Sequence, residues 1–367
     1  MKKLAILGSR GIPAQYGGFE TFAEELSTRL AARGIDVTVF CQKQIENSLL
    51  RYKGVKLVYI PAPNYGPLTT ILYDLRCLWR ARKAFDVVYM LGYGAAPFCY
   101  IPRIWGTTVW LNVDGIEWAR AKWSFAAKSY FRLMEMISLW SASRIIADAE
   151  AIRKHLSARH SRRPRCTVIP YGAPCIDKAP DVSILEEWDI QPSNYYLVVC
   201  RMEPENHVLE IIKGYKSSKT PLPLIMVGNL DYGKNAYTRS LLSSASENVR
   251  FIGAIYDKAK LVALRYYSTA YIHGHSVGGT NPSLLEALGC GNVVIAHDNP
   301  FNREVAGEFS FYFKSIEDLP PLIHRIERMT EEEKRELSRK SKHRILTNYT
   351  WEKISSLYQT LLLVDQE

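Results

Sequence analysis

Short runs of β-branched and apolar residues alternate with helical patterns along this chain, and the alternation occurs twice. In the first half the runs are KLAIL, DVTVFC, VKLVYI, DVVYML, TTVWLN and RIIAD. After a stretch rich in turn residues, a second set follows: YYLVVC, LPLIMVG, VRFIG, TAYIHG and NVVIAH. Strands that alternate with helices are typical of a parallel sheet covered by helices on both faces. The sequence therefore predicts an α/β protein with two doubly wound domains in tandem.

The length of 367 residues fits two such domains. We place the first at residues 1–175 and the second at 176–348, with a last helix, 349–367, expected to pack back on the first domain. Ligands of open α/β sheets bind beside the carboxyl ends of the strands. We therefore expect two Rossmann-like domains that face each other across a cleft.

Composition limits the partners and the compartment. The formal net charge of +10 and a pI of about 9.1 favour an anionic partner, which could be nucleic acid, anionic lipid or a phosphorylated substrate. The seven cysteines are scattered singly without a C-x-x-C pair, as is typical of the reducing cytoplasm. No apolar run is long enough to predict a signal peptide or a membrane-spanning helix.

A glycine-rich loop follows the first predicted strand in the stretch GSRGIPAQYGGFETFAEEL. Gly17 and Gly18 precede a helix whose first amides could bind a phosphate or a sugar hydroxyl. The spacing is not G-x-G-x-x-G, and DVTVFCQKQ ends without an acid that could bind a ribose. These departures disfavour a nicotinamide-dependent enzyme, and a turn that binds nothing remains an alternative.

A similar loop precedes a helix in the second domain, in the stretch HSVGGTNPSLLEALGCG. Pro282 suits the first position of that helix, and Glu286 lies one turn further on. A carboxylate there could accept hydrogen bonds from both hydroxyls of a ribose. The alternative is a solvated acid that the dipole of the helix stabilises.

These motifs together resemble the retaining glycosyltransferases of the GT-B fold, family-4 type, over nearly the whole chain. Within that family the sequence is most similar to the bacterial capsule and cell-wall rhamnosyltransferases. The resemblance is carried by GSRGIPAQYGGFET, NVDGIEW, EPEN and HSVGGTNPSLLEAL. It implies transfer of a hexose from a nucleoside diphosphate sugar with retention of the anomeric configuration.

The resemblance assigns the donor site to the second domain. Glu286 falls on the acid that binds the nucleotide ribose in that family. Gly278 stands where the family has the first acid of the motif, which contacts the donor sugar, so the sugar contacts are expected from the amides of Gly279, Thr280 and Asn281 or from nearby side chains.

The donor diphosphate is bound in that family by an arginine and a lysine. Here Arg201 occupies the first position and Asn206 the second, so one fixed positive charge is missing. We expect Asn206, the amides after Gly279 and the loop of Gly17 and Gly18 to compensate by hydrogen bonds.

The acceptor side is expected in the stretch LNVDGIEWARAKW. Asp114 stands where many relatives have a histidine, and it could orient the acceptor hydroxyl or take its proton. Glu117 is the second candidate, and a helix-capping role for Asp114 is the structural alternative. Arg120, Lys122 and the more distant Arg10 could steer a phosphorylated acceptor.

No D-x-D motif or pair of ligands with metal spacing is present, so neither a metal nor a cofactor is expected. Zinc binding by His273 and His275 is the less favoured interpretation of that pair. The predicted donor is dTDP-rhamnose and the predicted acceptor a polyprenyl-diphosphate-linked saccharide, with no nucleic acid as partner. A UDP-hexose is the alternative donor. A GT-B nucleotide-sugar epimerase and a lectin-like module are less favoured.

The segment GPLTTILYDLRCLWRARKAFD predicts an amphipathic helix with a basic end. Its apolar stripe consists of Leu68, Ile71, Leu72, Leu75, Leu78 and Trp79. Its cations are Arg76, Arg80, Arg82 and Lys83. With the basic and aromatic run WARAKWSFAAKSYFRLMEM, it predicts peripheral binding of this cytoplasmic protein to an anionic membrane surface. An ordinary helix that packs on the sheet is the alternative.

Overall fold

A computed structural model describes residues 2–14, 17–43, 49–62, 64–66, 68–160, 165–230 and 236–365. The chain divides into two compact units. The first comprises Met1–Ala119, Trp123–Gly172 and Trp351–Glu367, and the second comprises Arg120–Lys122 and Ala173–Thr350. The short segment Arg120–Lys122, which groups with the second unit, was not foreseen from the sequence.

The first unit is built on an eight-stranded sheet. Its strands are β1 (Lys3–Leu7), β2 (Asp36–Gln42), β3 (Arg51–Tyr52), β4 (Val55–Ile60), β5 (Val87–Leu91), β6 (Thr108–Asn112), β7 (Arg144–Ala147) and β8 (Cys166–Val168). Its first five helices are α1 (Gly18–Ala32), α2 (Leu68–Ala81), α3 (Tyr100–Ile104), α4 (Phe125–Ser141) and α5 (Glu150–Arg159). The strand order is β3-β4-β2-β1-β5-β6-β7-β8, and every pairing is parallel except that of β3 with β4.

The second unit carries a six-stranded, fully parallel sheet. Its strands are β9 (Tyr196–Val199), β10 (Leu224–Val227), β11 (Val249–Phe251), β12 (Ala270–His273), β13 (Val294–His297) and β14 (Phe311–Phe313), in the order β11-β10-β9-β12-β13-β14. Its helices are α6 (Val208–Ser218), α7 (Ala236–Ser243), α8 (Lys258–Tyr266), α9 (Pro282–Cys290), α10 (Pro300–Ala306), α11 (Leu319–Arg328) and α12 (Glu331–Asn348).

The predicted α/β class is confirmed, and the central strands explain why the sequence reveals it. Both β5 and β10 are buried along their whole length, because helices cover both faces of each sheet. The edge strands β8 and β14 were not predicted. Each has only three residues, as does β11, which the sequence did predict from VRFIG.

The last helix, α13 (Trp351–Val364), belongs to the first unit although it follows the whole of the second in sequence. Its Tyr358 is fully buried, and its ring centroid lies 5.5 Å from that of Tyr89 and 5.8 Å from that of Phe22. The hydroxyls of Tyr358 and Tyr89 are hydrogen-bonded at 2.8 Å. Just beyond the helix, Asp365 accepts hydrogen bonds from Trp110 and Arg144. The helix therefore completes the core of the first unit.

Both sheets reverse the direction of strand addition beside a central strand. The chain leaves β1 toward β2 and returns on its other side with β5, and it leaves β9 toward β10 and returns with β12. At both places a glycine follows a strand: a Cβ on Gly8 would lie 2.2 Å from the Leu91 oxygen, and one on Gly274 would lie 1.9 Å from the Asn206 oxygen. Ligands of such sheets bind at these switch points.

No described helix is both long enough and apolar enough to cross a membrane.

The contribution of α13 can be measured with two substitutions on adjacent residues. Tyr358→Ala should lower the free energy of unfolding by about 3–5 kcal/mol, because it leaves a cavity among buried rings. Leu357→Ala is the matched control: its side chain is 40% exposed, and the expected loss is below about 1 kcal/mol. Urea unfolding followed by circular dichroism measures both. Equal losses would show that α13 is not part of this core.

Candidate active site

In the second unit, the predicted donor residues lie on two loops at the carboxyl edge of the sheet. One loop follows β9 and carries Arg201 and Asn206; the other follows β12 and leads through Gly278, Gly279 and Thr280 into α9. A hydrogen bond from the Ser276 amide to the Glu205 oxygen, 3.0 Å long, joins the two loops. The structure thus brings the predicted donor residues of this unit together at its switch point.

The beginning of α9 is fixed by its own side chains. Asn281 caps the helix by accepting a hydrogen bond from the Ser283 amide at 3.0 Å, and Pro282 occupies the first turn as predicted. Gly278 has a φ of 131°, a backbone conformation that favours glycine, and Thr280 is buried. The loop therefore delivers its backbone close to the positive end of the α9 dipole, which suits an anion.

Glu286 is held by a buried arginine that the sequence interpretation did not use. Arg265 on α8 is 2% exposed, and its Nη2 lies 2.7 Å from the Glu286 carboxylate. The same nitrogen donates to Ser283 Oγ at 3.2 Å, and Ser283 donates to the Val199 oxygen at the end of β9. The Glu286 side chain remains 34% exposed, so its carboxylate is oriented but accessible. Arg265 is a single cation in the apolar run LVALRYY, and this feature of the sequence could have indicated a buried partner for an acid.

Asn206 differs from its predicted role. Its side chain is buried, its Nδ2 donates to the Arg201 oxygen at 2.7 Å, and its Oδ1 accepts from His275 Nδ1 at 2.8 Å. Burial, then the nearby Arg120 charge, lowers the pKa of His275 to about 3, so this ring donates as a neutral imidazole. The carboxamide organises the loop of Arg201 instead of facing a ligand with both its polar groups. The Arg201 side chain itself is exposed.

Two acids of the motif EPEN form a charged group with the segment Arg120–Lys122. Lys122 Nζ donates to Glu203 at 3.3 Å, and the buried Arg120 guanidinium lies 4.0 Å from the Glu205 carboxylate. Burial and the neighbouring Glu203 raise the pKa of Glu205. Burial would also raise the pKa of Glu203, but the charges of Arg201 and Lys122 outweigh it and lower that pKa. These cations therefore face protein carboxylates, which does not favour their predicted role in steering an acceptor.

Histidines occupy the carboxyl ends of β12 and β13. The rings of His207 and His297 stack at 4.2 Å, and burial, then the other ring, lowers the pKa of His297 to about 4. His273 is buried, and burial and the neighbouring His275 lower its pKa well below the ordinary value. The ring centroids of His273 and His275 are 6.3 Å apart. Within the described residues, no three His, Cys, Asp or Glu side chains are gathered as metal ligands.

In the first unit, acids of α1 hold the glycine-rich loop after β1. Glu20 accepts a hydrogen bond from the Arg10 amide at 2.9 Å, and Glu24 accepts from the Ala14 amide at 2.7 Å. Gly17 and Gly18 are both exposed at the start of α1, whose cap residue makes no side-chain hydrogen bond. Residues 15 and 16 of this loop lie outside the described residues. The exposed start of α1 is compatible with the predicted binding of an anion there.

Asp114 follows β6 in a left-handed conformation, with φ at 50°. Its amide donates to Asn112 Oδ1 at 2.6 Å, and Asn112 Nδ2 donates to the Tyr89 hydroxyl at 3.2 Å. Because Tyr89 is bound to Tyr358, these hydrogen bonds connect the Asp114 turn to α13 through the core. The next helical turn, a short 3-10 helix, is Glu117–Ala119 and begins three residues after Asp114.

Glu117 and Trp118 are anchored by different partners. Glu117 accepts a hydrogen bond from Trp123 Nε1 at 2.9 Å, and its amide donates to the Tyr93 hydroxyl at 3.0 Å. Trp118 Nε1 donates at 2.7 Å to Glu135, a buried acid on α4. The Glu117 carboxylate therefore braces the loop through Trp123.

Glu135 on α4 has several donor partners that sequence inspection missed, because they come from α5 with its cap residue and from the loop of Trp118. His160 Nε2 donates to it at 3.0 Å, Arg159 Nε lies 3.3 Å from it and His155 Nε2 lies at 3.5 Å. Burial alone would raise the pKa of Glu135, but the nearby His155 ring and the hydrogen bonds from His160 and Trp118 outweigh it and lower the pKa to about 2. The charged carboxylate thus fixes the Trp118 ring.

The pH dependence of stability should reveal the ionisation of the Glu135 carboxylate. Its pKa falls from an ordinary 4.5 to about 2 on folding, so its stabilisation is complete above about pH 4.5 and is lost as the pH falls toward 2. Between pH 5 and pH 3, wild type should lose about 2 kcal/mol more unfolding free energy than Glu135→Gln does.

Urea unfolding followed by tryptophan fluorescence at both pH values provides this comparison. Glu352→Gln is the control in the same unit, because the Glu352 side chain is exposed and forms a surface ion pair with Arg29. It should keep the pH dependence of wild type. A constant difference between wild type and Glu135→Gln would contradict the assignment.

Two family profiles match the chain. Residues 1–174 match the family described as "Domain of unknown function (DUF1972)", and residues 184–344 match "Glycosyl transferases group 1". The second match includes both loops of the donor site described above. No protein of curated function matches the sequence.

Several solved structures resemble the whole chain at low sequence identity. Sucrose-phosphate synthase from Thermosynechococcus elongatus has a TM-score of 0.82 at 16% identity, over 99% of this chain and 100% of that one. Anabaena HepE in complex with UDP-glucose has a TM-score of 0.77 at 15% identity, over 98% of this chain and 99% of that one. A glycosyltransferase from Rickettsia africae has a TM-score of 0.76 at 15% identity, over 98% of this chain and 97% of that one. The chain therefore has the GT-B fold of these structures, and residues 184–344 match the domain of the group 1 glycosyltransferases.

Proposed function

We propose that this protein is a glycosyltransferase, which moves a hexose from a nucleoside diphosphate sugar to a saccharide acceptor with retention of the anomeric configuration. The observation that carries the proposal is the donor loop of the second unit. There the Glu286 carboxylate is oriented by Arg265 but partly exposed, next to a capped helix start. A carboxylate suits a ribose, and the positive end of a helix suits a diphosphate.

In this proposal the protein supplies the positive charge that the diphosphate needs. Arg201 extends from the loop after β9, and the amides of Gly279, Thr280 and Asn281 lie at the start of α9. These groups would stabilise the charge that develops on the leaving diphosphate as the bond to the sugar breaks. The reaction is proposed to need no metal ion, and activity is therefore expected to persist in EDTA.

We propose that the acceptor binds to the first unit, at the Asp114 turn. The acceptor hydroxyl attacks the anomeric carbon on the face from which the diphosphate departs, and its proton passes to a diphosphate oxygen or to Asp114. Asp114 is suited to orient the hydroxyl, because hydrogen bonds through Asn112 and Tyr89 fix its turn. No covalent intermediate with the protein forms in this scheme.

Two donors are supported by different observations. The resemblance to capsule and cell-wall rhamnosyltransferases favours L-rhamnose from dTDP-rhamnose. The similarity in fold to HepE, which was solved with UDP-glucose, favours a UDP-hexose. A ribose also offers Glu286 two hydroxyls, whereas a deoxyribose offers one. The acceptor is proposed to be a polyprenyl-diphosphate-linked saccharide that the enzyme meets at the cytoplasmic face of a membrane, during assembly of a surface polysaccharide.

A panel of donors tests the proposal: dTDP-rhamnose, UDP-glucose, UDP-galactose and GDP-mannose, with and without a lipid-linked saccharide, in the presence of EDTA. Nucleotide release and the anomeric configuration of the product are measured. Asp114→Asn should lower the transfer rate about 100-fold and leave donor affinity unchanged. Asp36→Asn, at the amino end of β2, is the matched control. Release from no donor would refute the proposal, and conversion of the donor to another sugar would support an epimerase.

Glu286→Gln distinguishes the two nucleotides. It keeps the shape of the side chain but removes its charge, so affinity for UDP should fall about 10- to 100-fold, as expected for one or two charge-assisted hydrogen bonds. Affinity for dTDP should fall about tenfold or less. Titration calorimetry measures both, with Glu247→Gln on an exposed turn as the control. Unchanged affinity for both nucleotides would mean that Glu286 only forms its ion pair with Arg265 and does not contact the ribose.

A further inference from the structure

Several large apolar side chains of the first unit are exposed on three helices or just beyond them. Trp79 at the end of α2 is 55% exposed, and Ile104 and Trp105 at the end of α3 are 79% and 52% exposed. Trp140 at the end of α4 is 51% exposed. Leu133, Met136 and Trp140 are spaced along one side of α4 and all are exposed. We call Trp79, Ile104, Trp105, Met136 and Trp140 the aromatic face.

This face differs from the apolar stripe predicted for α2 from its sequence. Leu78 of that stripe is fully buried, and the helix packs on its neighbours through Tyr73, Cys77 and Ala81. Only Leu68 and Trp79 of the stripe are largely exposed, at opposite ends of the helix. Most of α2 is therefore an ordinary packed helix, and only its end contributes to the aromatic face.

Cations connect the three parts of the face. Lys83 Nζ lies 3.5 Å from the centre of the Trp105 ring, and Arg82 lies 4.2 Å from the centre of the Trp79 ring. Arg103 on α3 donates at 2.7 Å to the Trp140 oxygen at the end of α4. The aromatic rings and the positive charges therefore occupy one connected surface.

Acidic residues are absent from the sequence around this surface. Residues 75–85, 96–113 and 136–143 contain no Asp or Glu, whereas 75–85 alone contains Arg76, Arg80, Arg82 and Lys83. Four acids flank these segments: Asp86 accepts from the Lys3 amide, Asp74 and Glu135 are buried, and Asp114 lies at the opposite end of β6 from Trp105. The surface therefore presents aromatic and aliphatic groups with positive charge.

We propose that the aromatic face docks on a bilayer that contains anionic phospholipid. Indole rings favour the boundary between headgroups and acyl chains, and Lys and Arg beside them bind the phosphates. A protein partner or a second copy of this chain would need acids opposite these cations, and the described part of the face supplies none. Docking gives the enzyme access to a lipid-linked acceptor, and in that respect the inference rests on the proposed function.

Sedimentation of the full chain with vesicles tests this inference. Vesicles of phosphatidylcholine with phosphatidylglycerol should bind the protein at low salt, and vesicles of phosphatidylcholine alone should bind it at least about tenfold more weakly. Ile104→Glu with Trp105→Glu should weaken binding to the anionic vesicles at least about tenfold. Tyr256→Glu with Leu346→Glu is the matched control, because both are exposed apolar residues of the second unit, and it should bind like wild type.

A second pair of variants separates the face from net charge. Lys83→Glu with Arg103→Glu should weaken binding at least about tenfold, whereas Lys213→Glu with Arg335→Glu changes the net charge equally and should have little effect. No binding of wild type to anionic vesicles, or equal losses in the two pairs, would overturn the proposal. So would self-association of wild type without vesicles that Ile104→Glu abolishes.

Nucleotide release with a soluble saccharide acceptor, measured without vesicles, keeps this test separate from the proposed function. The Ile104 and Trp105 variants should retain that activity, because neither residue touches the candidate active site. Vesicle binding without any glycosyl transfer would refute the function and leave the docking face intact. Transfer without vesicle binding would refute the docking face alone.

Discussion

Parallel pairing is the constraint on which the candidate active site depends, because it brings the carboxyl ends of all the strands in a sheet to one edge. In each unit the chain changes direction once beside a central strand, between β1 and β5 and between β9 and β12. No crossover covers the edge at those two places. In the second unit the predicted donor loops follow strands at this edge of the sheet, and in the first unit the Asp114 turn follows β6 at the corresponding edge of its own sheet. Gly8 and Gly274 each allow a close backbone contact within their own unit.

Buried charges then fix the side chains that these loops carry. Arg265 on α8 orients Glu286 on α9. Glu135 orients Trp118, and His155 and His160 lie beside the Glu135 carboxylate. Removing one partner of a buried ion pair leaves the other charge without compensation, which is costly. The two arrangements therefore combine stability with orientation. An exposed pair such as Arg29 and Glu352 contributes little to either.

Features that depend on nearby residues could be predicted from the sequence, and features that depend on distant ones could not. The α/β class, the GT-B fold and the start of α9 at Pro282 followed from strand patterns and motifs, and the structure confirms them. The Arg265 partner of Glu286, the donors around Glu135 and the inward orientation of Asn206 depend on contacts between separate elements. For α2 the sequence left two alternatives open, because periodicity identifies an apolar face but not what covers it, and the structure shows that Leu78 is buried whereas Leu68 and Trp79 are exposed.

The position of α13 in the sequence has a consequence for how the protein is made. Because Tyr358 and Trp351 are translated after all of the second unit, the ribosome releases most of the first unit before its core can close. The second unit, which is continuous apart from Arg120–Lys122, can fold while the first still exposes the apolar surfaces of Phe22 and Tyr89. During synthesis the first unit is thus the one that needs protection from aggregation, and the emergence of α13 ends that exposure.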